Sequence, residues 1–201
     1  MSSVVLSGDT SGTVTLTVPA VAGTNTVTVP AGTGTVAVQG VSTNIVSGTA
    51  VASTSGTSID FTGIPSWVKR ITVMFDGTST NGSTFQMVQV GSGSVTTTGY
   101  NFYGDNFQNG AGAGLSITSG FPLDGGNSTF ILYGSVVLTL VSTNKWLCVA
   151  HGGGWNNAGA YYRSYTGGGD ISLGGALDRV RITTLNGTDT FKAGSVNILY
   201  E

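Results

Sequence analysis

Side chains of the kinds that enzymes use for catalysis are scarce in this chain. His151 is the only histidine and Cys148 the only cysteine, and both lie in the segment WLCVAHG. The nucleophile elbow G-x-S-x-G does not occur, so a Ser-His-Asp mechanism lacks its usual setting. One histidine and one cysteine are also too few for a His/Cys metal site within one chain. The sequence therefore predicts no enzyme, no catalytic residues, no metal and no cofactor.

Three aspartates lie in Gly-rich segments, namely Asp105, Asp124 and Asp170. Glycoside cleavage requires two carboxylates that flank the scissile bond, one as acid and the other as base or nucleophile. Aspartates in such segments more often bond to their own backbone in turns. A polysaccharide depolymerase is therefore the least favoured of the functional alternatives.

Two segments rich in aromatic residues favour binding over catalysis: GYNFYGDNF (99–107) and GWNNAGAYYRSY (154–165). An aromatic ring can cover the apolar face of a sugar while neighbouring amides and charges bond its hydroxyl groups. These segments predict a glycan-binding site formed by Trp155, Asn156, Asn157, Tyr161, Arg163, Tyr103 and Asp105. The alternative is a structural role, in which several rings close the ends of the fold or fill a subunit interface. Phe102 and Phe107 in particular are expected to lie in the core.

The amino-acid composition indicates the type of secondary structure that carries these residues. Charged residues make up 8% of the 201 residues, against about 25% in a typical soluble domain. Helix-forming Lys and Glu are rare, whereas Thr, Ser, Val and Gly are abundant, which predicts an all-β fold. The net charge of −2 offers no basic surface for nucleic acid. No apolar run approaches the roughly 20 residues of a membrane span, so we expect no membrane insertion.

The composition also changes near residue 56. Residues 1–56 contain no Lys, no Arg and no aromatic residue. Apolar residues alternate with threonines at Val14, Leu16 and Val18, and again at Val27 and Val29. Period-two alternation predicts strands, but strands of small side chains bury too little surface to be stable alone. We therefore expect 1–56 to be an attachment and oligomerisation segment made of assembly strands.

Residues 57–201 predict a second domain. Alternating apolar residues, such as Ile71, Val73 and Phe75, recur in at least six strand-like segments separated by Gly-rich stretches. This pattern is typical of an antiparallel β-sandwich, here expected to be jelly-roll-like. The stretches 99–127 and 152–175 are predicted to be loops.

Several sequence segments resemble segments of proteins from tailed bacteriophages. The repeat SGTVTLTVPAVAGTNTVTVPAGTGTVAV (11–38) is similar to the N-terminal segment of tail fibres and other virion appendage proteins. The pieces ITVMFDGTSTNGSTFQMVQVGSG (71–93), TTGY (97–100) and LDRVRITTLNGTDTFKAGSVNILYE (177–201) resemble a C-terminal domain of phage structural proteins. The resemblance covers about half of the chain.

The resemblance implies a homotrimer located in the virion and assembled in the host cytoplasm. Its N-terminal segment would attach to other tail or baseplate proteins, and its C-terminal domain would meet a glycan on the host surface. A short tail fibre is therefore the expected function. A capsid decoration or cement protein without a ligand is the first alternative, and a depolymerase is the second.

Overall fold

The computed structural model describes most of the chain, namely residues 3–7, 11–17, 23–24, 45–108, 111–124, 127–156, 158 and 161–201. Within these ranges the regular elements are strands paired in antiparallel fashion, so the predicted all-β class is confirmed. None of these described ranges contains a helix with the length and apolar character needed to cross a membrane. The chain divides into two compact units, Met1–Val41 and Ser42–Glu201.

The first unit contains an antiparallel hairpin of β1 (Ser3–Ser7) and β2 (Thr13–Thr17). Val5 lies opposite Thr15 in this hairpin, and the Val5 and Leu6 side chains are both exposed. A lone two-stranded hairpin is marginally stable in water, which is consistent with a need for further partners. The expected strands at 26–29 and 35–38 lie outside the described residues.

The second unit is built from the remaining strands, which are β3 (Val46–Ser47), β4 (Val51–Ala52), β5 (Ser58–Thr62), β6 (Arg70–Thr80), β7 (Gln86–Ser92), β8 (Ser94–Val95), β9 (Asn101–Gln108), β10 (Ala111–Ile117), β11 (Phe121–Leu123), β12 (Phe130–Ser142), β13 (Lys145–Asn156), β14 (Tyr161–Ser172), β15 (Arg179–Thr184) and β16 (Phe191–Tyr200). They form a β-sandwich of two packed sheets. Over the described residues, the larger sheet has nine strands in the order β10-β9-β14-β13-β12-β6-β16-β3, with β4 also paired to β16. The smaller has the order β11-β7-β15-β5, with β8 paired to β7.

The second unit begins earlier in the sequence than the expected boundary between residues 56 and 57. Strands β3 and β4 both pair with β16 of the large sheet, and the backbone N–H of Ser53 donates to the carbonyl of Gly194 at 2.9 Å. The described residues from Val46 onward therefore belong to the sandwich, although the composition of 46–56 resembles that of the first unit.

Alternating side chains of the two sheets form the core between them. On β6 these are Ile71, Val73 and Phe75, as the sequence predicts, and Val88 and Ile182 face them from the small sheet. Phe102 is fully buried and stacks on Tyr165, with ring centroids 6.3 Å apart. The prediction that Phe102 lies in the core is confirmed.

The two stretches predicted as loops contain long strands instead, and glycine explains the error. β9 and β10 occupy much of 99–127, and the end of β13 together with the whole of β14 occupies much of 152–175. A Cβ on Gly154 would lie 2.4 Å from Phe130 Cε1, and one on Gly167 would lie 2.3 Å from Phe102 Cζ. These glycines therefore sit under aromatic rings inside strands and do not mark loops.

Candidate functional site

One face of the large sheet points away from the small sheet and carries exposed aromatic rings. We call the outward-pointing side chains of β9, β10 and β12–β14 the outer face. Because successive residues of a strand point to opposite sides, every second residue of these strands belongs to it. Its exposed rings, with their exposed fractions, are Tyr103 (67%), Phe107 (46%), Tyr133 (53%), Trp155 (45%) and Tyr162 (64%).

The strand register places several of these rings close together. Trp155 on β13 lies directly opposite Tyr162 on β14. Phe107 on β9 is opposite Ser164, which is two residues from Tyr162 along β14, so the Phe107 and Tyr162 rings are diagonal neighbours. Directly opposed residues on antiparallel strands have Cβ atoms roughly 5 Å apart. The three rings therefore lie within reach of one small ligand.

An open trough of about 560 Å³ lies at the β9–β10 edge of the outer face, and Tyr103 is the exposed ring that lines it. The residues that line it include four with polar side chains, namely Tyr103, Asp105, Ser116 and Thr166. A Cβ on Gly114 would lie 3.5 Å from Asp105 Oδ1, so the glycine leaves the trough open above the strand. We call this feature the trough.

Asp105 is exposed, and it has no ion-pair partner among the described residues. Thr166 lies opposite Asp105, and His151 lies opposite Thr166 on the next strand. The three side chains form a polar row across the sheet. The row offers hydrogen-bonding groups beside the rings, which is the arrangement that hydroxyl-rich ligands require.

Groups that could support catalysis or metal binding are not clustered on this face. Among the described residues, no three His, Cys, Asp or Glu side chains lie close enough to hold a metal ion. Cys148 points into the core, and burial raises the pKa of its thiol. An exposed surface with the Asp105 carboxylate, hydroxyls and rings can bind a ligand through stacking and hydrogen bonds.

Three of the predicted site residues point into the sandwich. Asn156 is buried, and its Oδ1 accepts hydrogen bonds from Thr129 Oγ1 at 2.6 Å and the Ala158 N–H at 2.9 Å. The Tyr161 hydroxyl accepts one from Asn127 Nδ2 at 2.7 Å. These contacts fix the chain around the β13–β14 turn. Asn156 and Tyr161 therefore have structural partners.

Arg163 also has its partners inside the protein. Its Nη1 lies 3.2 Å from Oδ1 of the buried Asp124, and its Nε donates to Gln108 Oε1 at 2.7 Å. The guanidinium lies over the Phe130 and Tyr161 rings, 5.8 and 5.3 Å from their centroids. This environment holds Arg163 as the cation of a largely buried network and away from the outer face.

The structure thus divides the predicted site between two sides of the sheet. Trp155, Tyr103 and Asp105 lie on the outer face, Asn156, Tyr161 and Arg163 lie on the inner side, and Asn157 lies outside the described residues. The prediction that Phe107 fills the core is wrong, because its ring is on the outer face. Tyr162, Ser116 and Thr166 were missed, although the period-two rule would have placed Tyr162 with Trp155 once the strands were recognised.

Comparison with known proteins does not assign this chain to a family. No family model, curated protein or solved structure matches it. Function is therefore inferred from the outer face and from the sequence patterns.

Proposed function

We propose that this chain is a structural virion protein of a tailed phage, a short tail fibre whose sandwich binds glycans on the host surface. The observation that carries the proposal is the outer face, where Tyr103 lines the open trough and Trp155 and Tyr162 are exposed opposite each other farther along the same face. Large rings exposed together on a nearly uncharged surface usually mark an interaction site. Their polar neighbours favour a sugar over a purely apolar partner.

The physical basis of binding is stacking combined with hydrogen bonding. A sugar ring on an aromatic face gains about 0.5–1.5 kcal/mol, by analogy with other aromatic contacts. The Asp105 carboxylate and the Ser116 and Thr166 hydroxyls of the trough would bond the sugar hydroxyls. A shallow, open site of this kind binds weakly in a single copy, so useful affinity needs several copies on one particle.

The first unit supports the assembly part of the proposal. Its described hairpin carries no charged residue, and Val5 and Leu6 are exposed. Such strands become stable when other strands pair with them or cover them. The proposed arrangement is a homotrimer that uses residues 1–41 to attach to other tail or baseplate proteins. The sandwich is then left to face the host.

The proposal is tested by the double substitution Trp155→Ala with Tyr162→Ala, which removes two opposed rings from the outer face. We expect host-cell adsorption and binding to host polysaccharide to fall at least tenfold, with unfolding and oligomer size unchanged. Trp67→Ala is the matched control, because that ring is 50% exposed in the segment between β5 and β6. It should adsorb normally.

Two results would contradict the glycan-binding role. One is normal adsorption by a folded double variant. The other is loss of the protein from capsids of the double variant, which would favour a decoration protein that uses the outer face as a protein interface.

A further inference from the structure

The charges around the trough restrict the kind of glycan that it can accept. Between residues 71 and 178 the chain contains only two Lys or Arg residues, Lys145 and Arg163. All of the strands that form the outer face lie within this interval. The charge near the trough therefore depends on where these two cations point and on their partners. Lys192 of β16 also reaches this sheet, but its Nζ donates to the Ser128 carbonyl just before β12, several strands away from the trough.

Neither cation is available to a ligand in the trough. Arg163 points inward to Asp124 and Gln108. Lys145 Nζ lies 3.5 Å from Asp170 Oδ2, at the opposite end of β13 from Trp155. Asp105 thus remains as an exposed anion without a compensating cation among the described residues.

We propose that the trough binds an uncharged sugar through adjacent hydroxyl groups and excludes sugars that carry carboxylate, sulfate or phosphate. This inference rests on the proposed glycan-binding role of the outer face. A carboxylate accepts two hydrogen bonds from neighbouring hydroxyls in a bidentate manner, and such bonds are stronger than those between neutral groups. An anionic sugar would meet like charge at Asp105 and find no Lys or Arg to pair with.

The hydroxyls of the trough fit the same ligand. Tyr103, Ser116 and Thr166 each provide one donor and acceptor groups, and Tyr103 also offers a ring that is 67% exposed. A neutral hexose can stack on Tyr103 while adjacent hydroxyls reach Asp105. The Gly114 position leaves room for the sugar over β10.

The test measures binding of the full chain to immobilised neutral polysaccharides (dextran, mannan and galactan) and to anionic ones (alginate, hyaluronan and polysialic acid). We expect binding to at least one neutral polymer and at least tenfold weaker binding to every anionic one. Binding to the neutral polymer should change less than twofold between 50 and 500 mM salt, because salt screens only interactions between charges.

Substitutions of Asp105 test whether the preference for neutral polysaccharides arises in the trough. Asp105→Asn should weaken neutral binding about tenfold, and Asp105→Lys should abolish it while raising retention on the anionic polymers. Asp60→Asn is the matched control, since Asp60 is a part-exposed carboxylate on the small sheet, and it should bind like the unmodified protein.

The outcomes separate this inference from the proposed function. Salt-sensitive binding to an anionic polymer that Tyr103→Ala, a substitution inside the trough, removes would overturn the neutral-sugar inference and leave the glycan-binding role standing. Binding to a neutral polymer that Asp105→Asn leaves unchanged would also overturn the inference. Absence of binding to any polymer or to host cells would overturn both.

Discussion

Substitution of Arg163 distinguishes two roles for this residue by their effect on the free energy of unfolding. If Arg163 contacts a glycan, its loss should reduce binding and leave the fold stable; if it is the cation of a buried ion pair, its loss should destabilise the fold. We expect Arg163→Ala to destabilise the sandwich strongly. The substitution removes the cation that lies 3.2 Å from the buried carboxylate of Asp124, together with the bond to Gln108. Removing one partner of a buried ion pair costs about 3–5 kcal/mol.

The chain contains a matched control in the Arg181–Asp60 pair. Arg181 Nε lies 2.7 Å from Asp60 Oδ1, and both side chains are more than a third exposed. A pair of this kind contributes below about 1 kcal/mol. Urea unfolding followed by tryptophan fluorescence gives both losses directly. For a domain of this size, the Arg163→Ala loss corresponds to a melting-temperature drop of about 6–20 °C.

A double substitution completes the test. Asp124→Asn with Arg163→Gln removes both charges, so it should be less destabilising than Arg163→Ala if the penalty comes from a buried carboxylate that has lost its cation. An Arg163→Ala loss no larger than that of Arg181→Ala would refute the assignment of Arg163 to a buried network. It would return Arg163 to the candidates for ligand contact.

Three further predictions concern packing, titration and assembly. Gly154→Ala should lower the free energy of unfolding, measured with a chemical denaturant, by at least about 2 kcal/mol, because the new Cβ would lie 2.4 Å from carbons of the buried Phe130 ring. Gly174→Ala is the control: its Cβ would meet nothing within 4 Å, so it should be tolerated. Burial raises the pKa of Tyr100 to about 12 from 10.0, so its contribution to stability is complete below pH 10 and should fall by about 2–3 kcal/mol as the pH rises to about 12. Tyr100→Phe should flatten that part of the pH profile, and an unchanged profile would contradict the burial argument. Deletion of residues 1–41 should leave a folded sandwich that no longer enters virions, and normal incorporation would contradict the attachment role.

The all-β class and much of the core follow from local sequence. Few Lys and Glu residues and many Thr and Val residues exclude long helices, and the alternation of Ile71, Val73 and Phe75 identifies the buried side of β6. These features depend on composition and on neighbours two residues apart, so they can be read without the fold.

The strands at 99–127 and 152–175 could not be predicted because their glycines have distant partners. Gly154 sits against Phe130, and Gly167 sits against Phe102. The sequence shows a run of glycines, which is typical of a loop, but it does not show the ring that excludes a side chain. Strands β3 and β4 could not be predicted for the same reason, because their partner β16 lies at the other end of the sandwich unit in the sequence.

Some residues of the outer face could be selected from the sequence, but their arrangement across the strands could not. Trp155, Tyr103 and Asp105 were selected as aromatic and charged residues in polar segments, and they lie on the outer face. Which of Tyr161 and Tyr162 joins Trp155 depends on the register across the β13–β14 turn, where Trp155 pairs with Tyr162. A shift of one residue would exchange the two tyrosines.

The most direct measurement is the structure of the full chain with an oligosaccharide from the host surface. Our proposal predicts a sugar ring on the outer face, stacked on Tyr103 and hydrogen-bonded to Asp105. A sugar bound at another surface would contradict it. So would an outer face covered by a neighbouring subunit, because the exposed rings would then be an assembly interface.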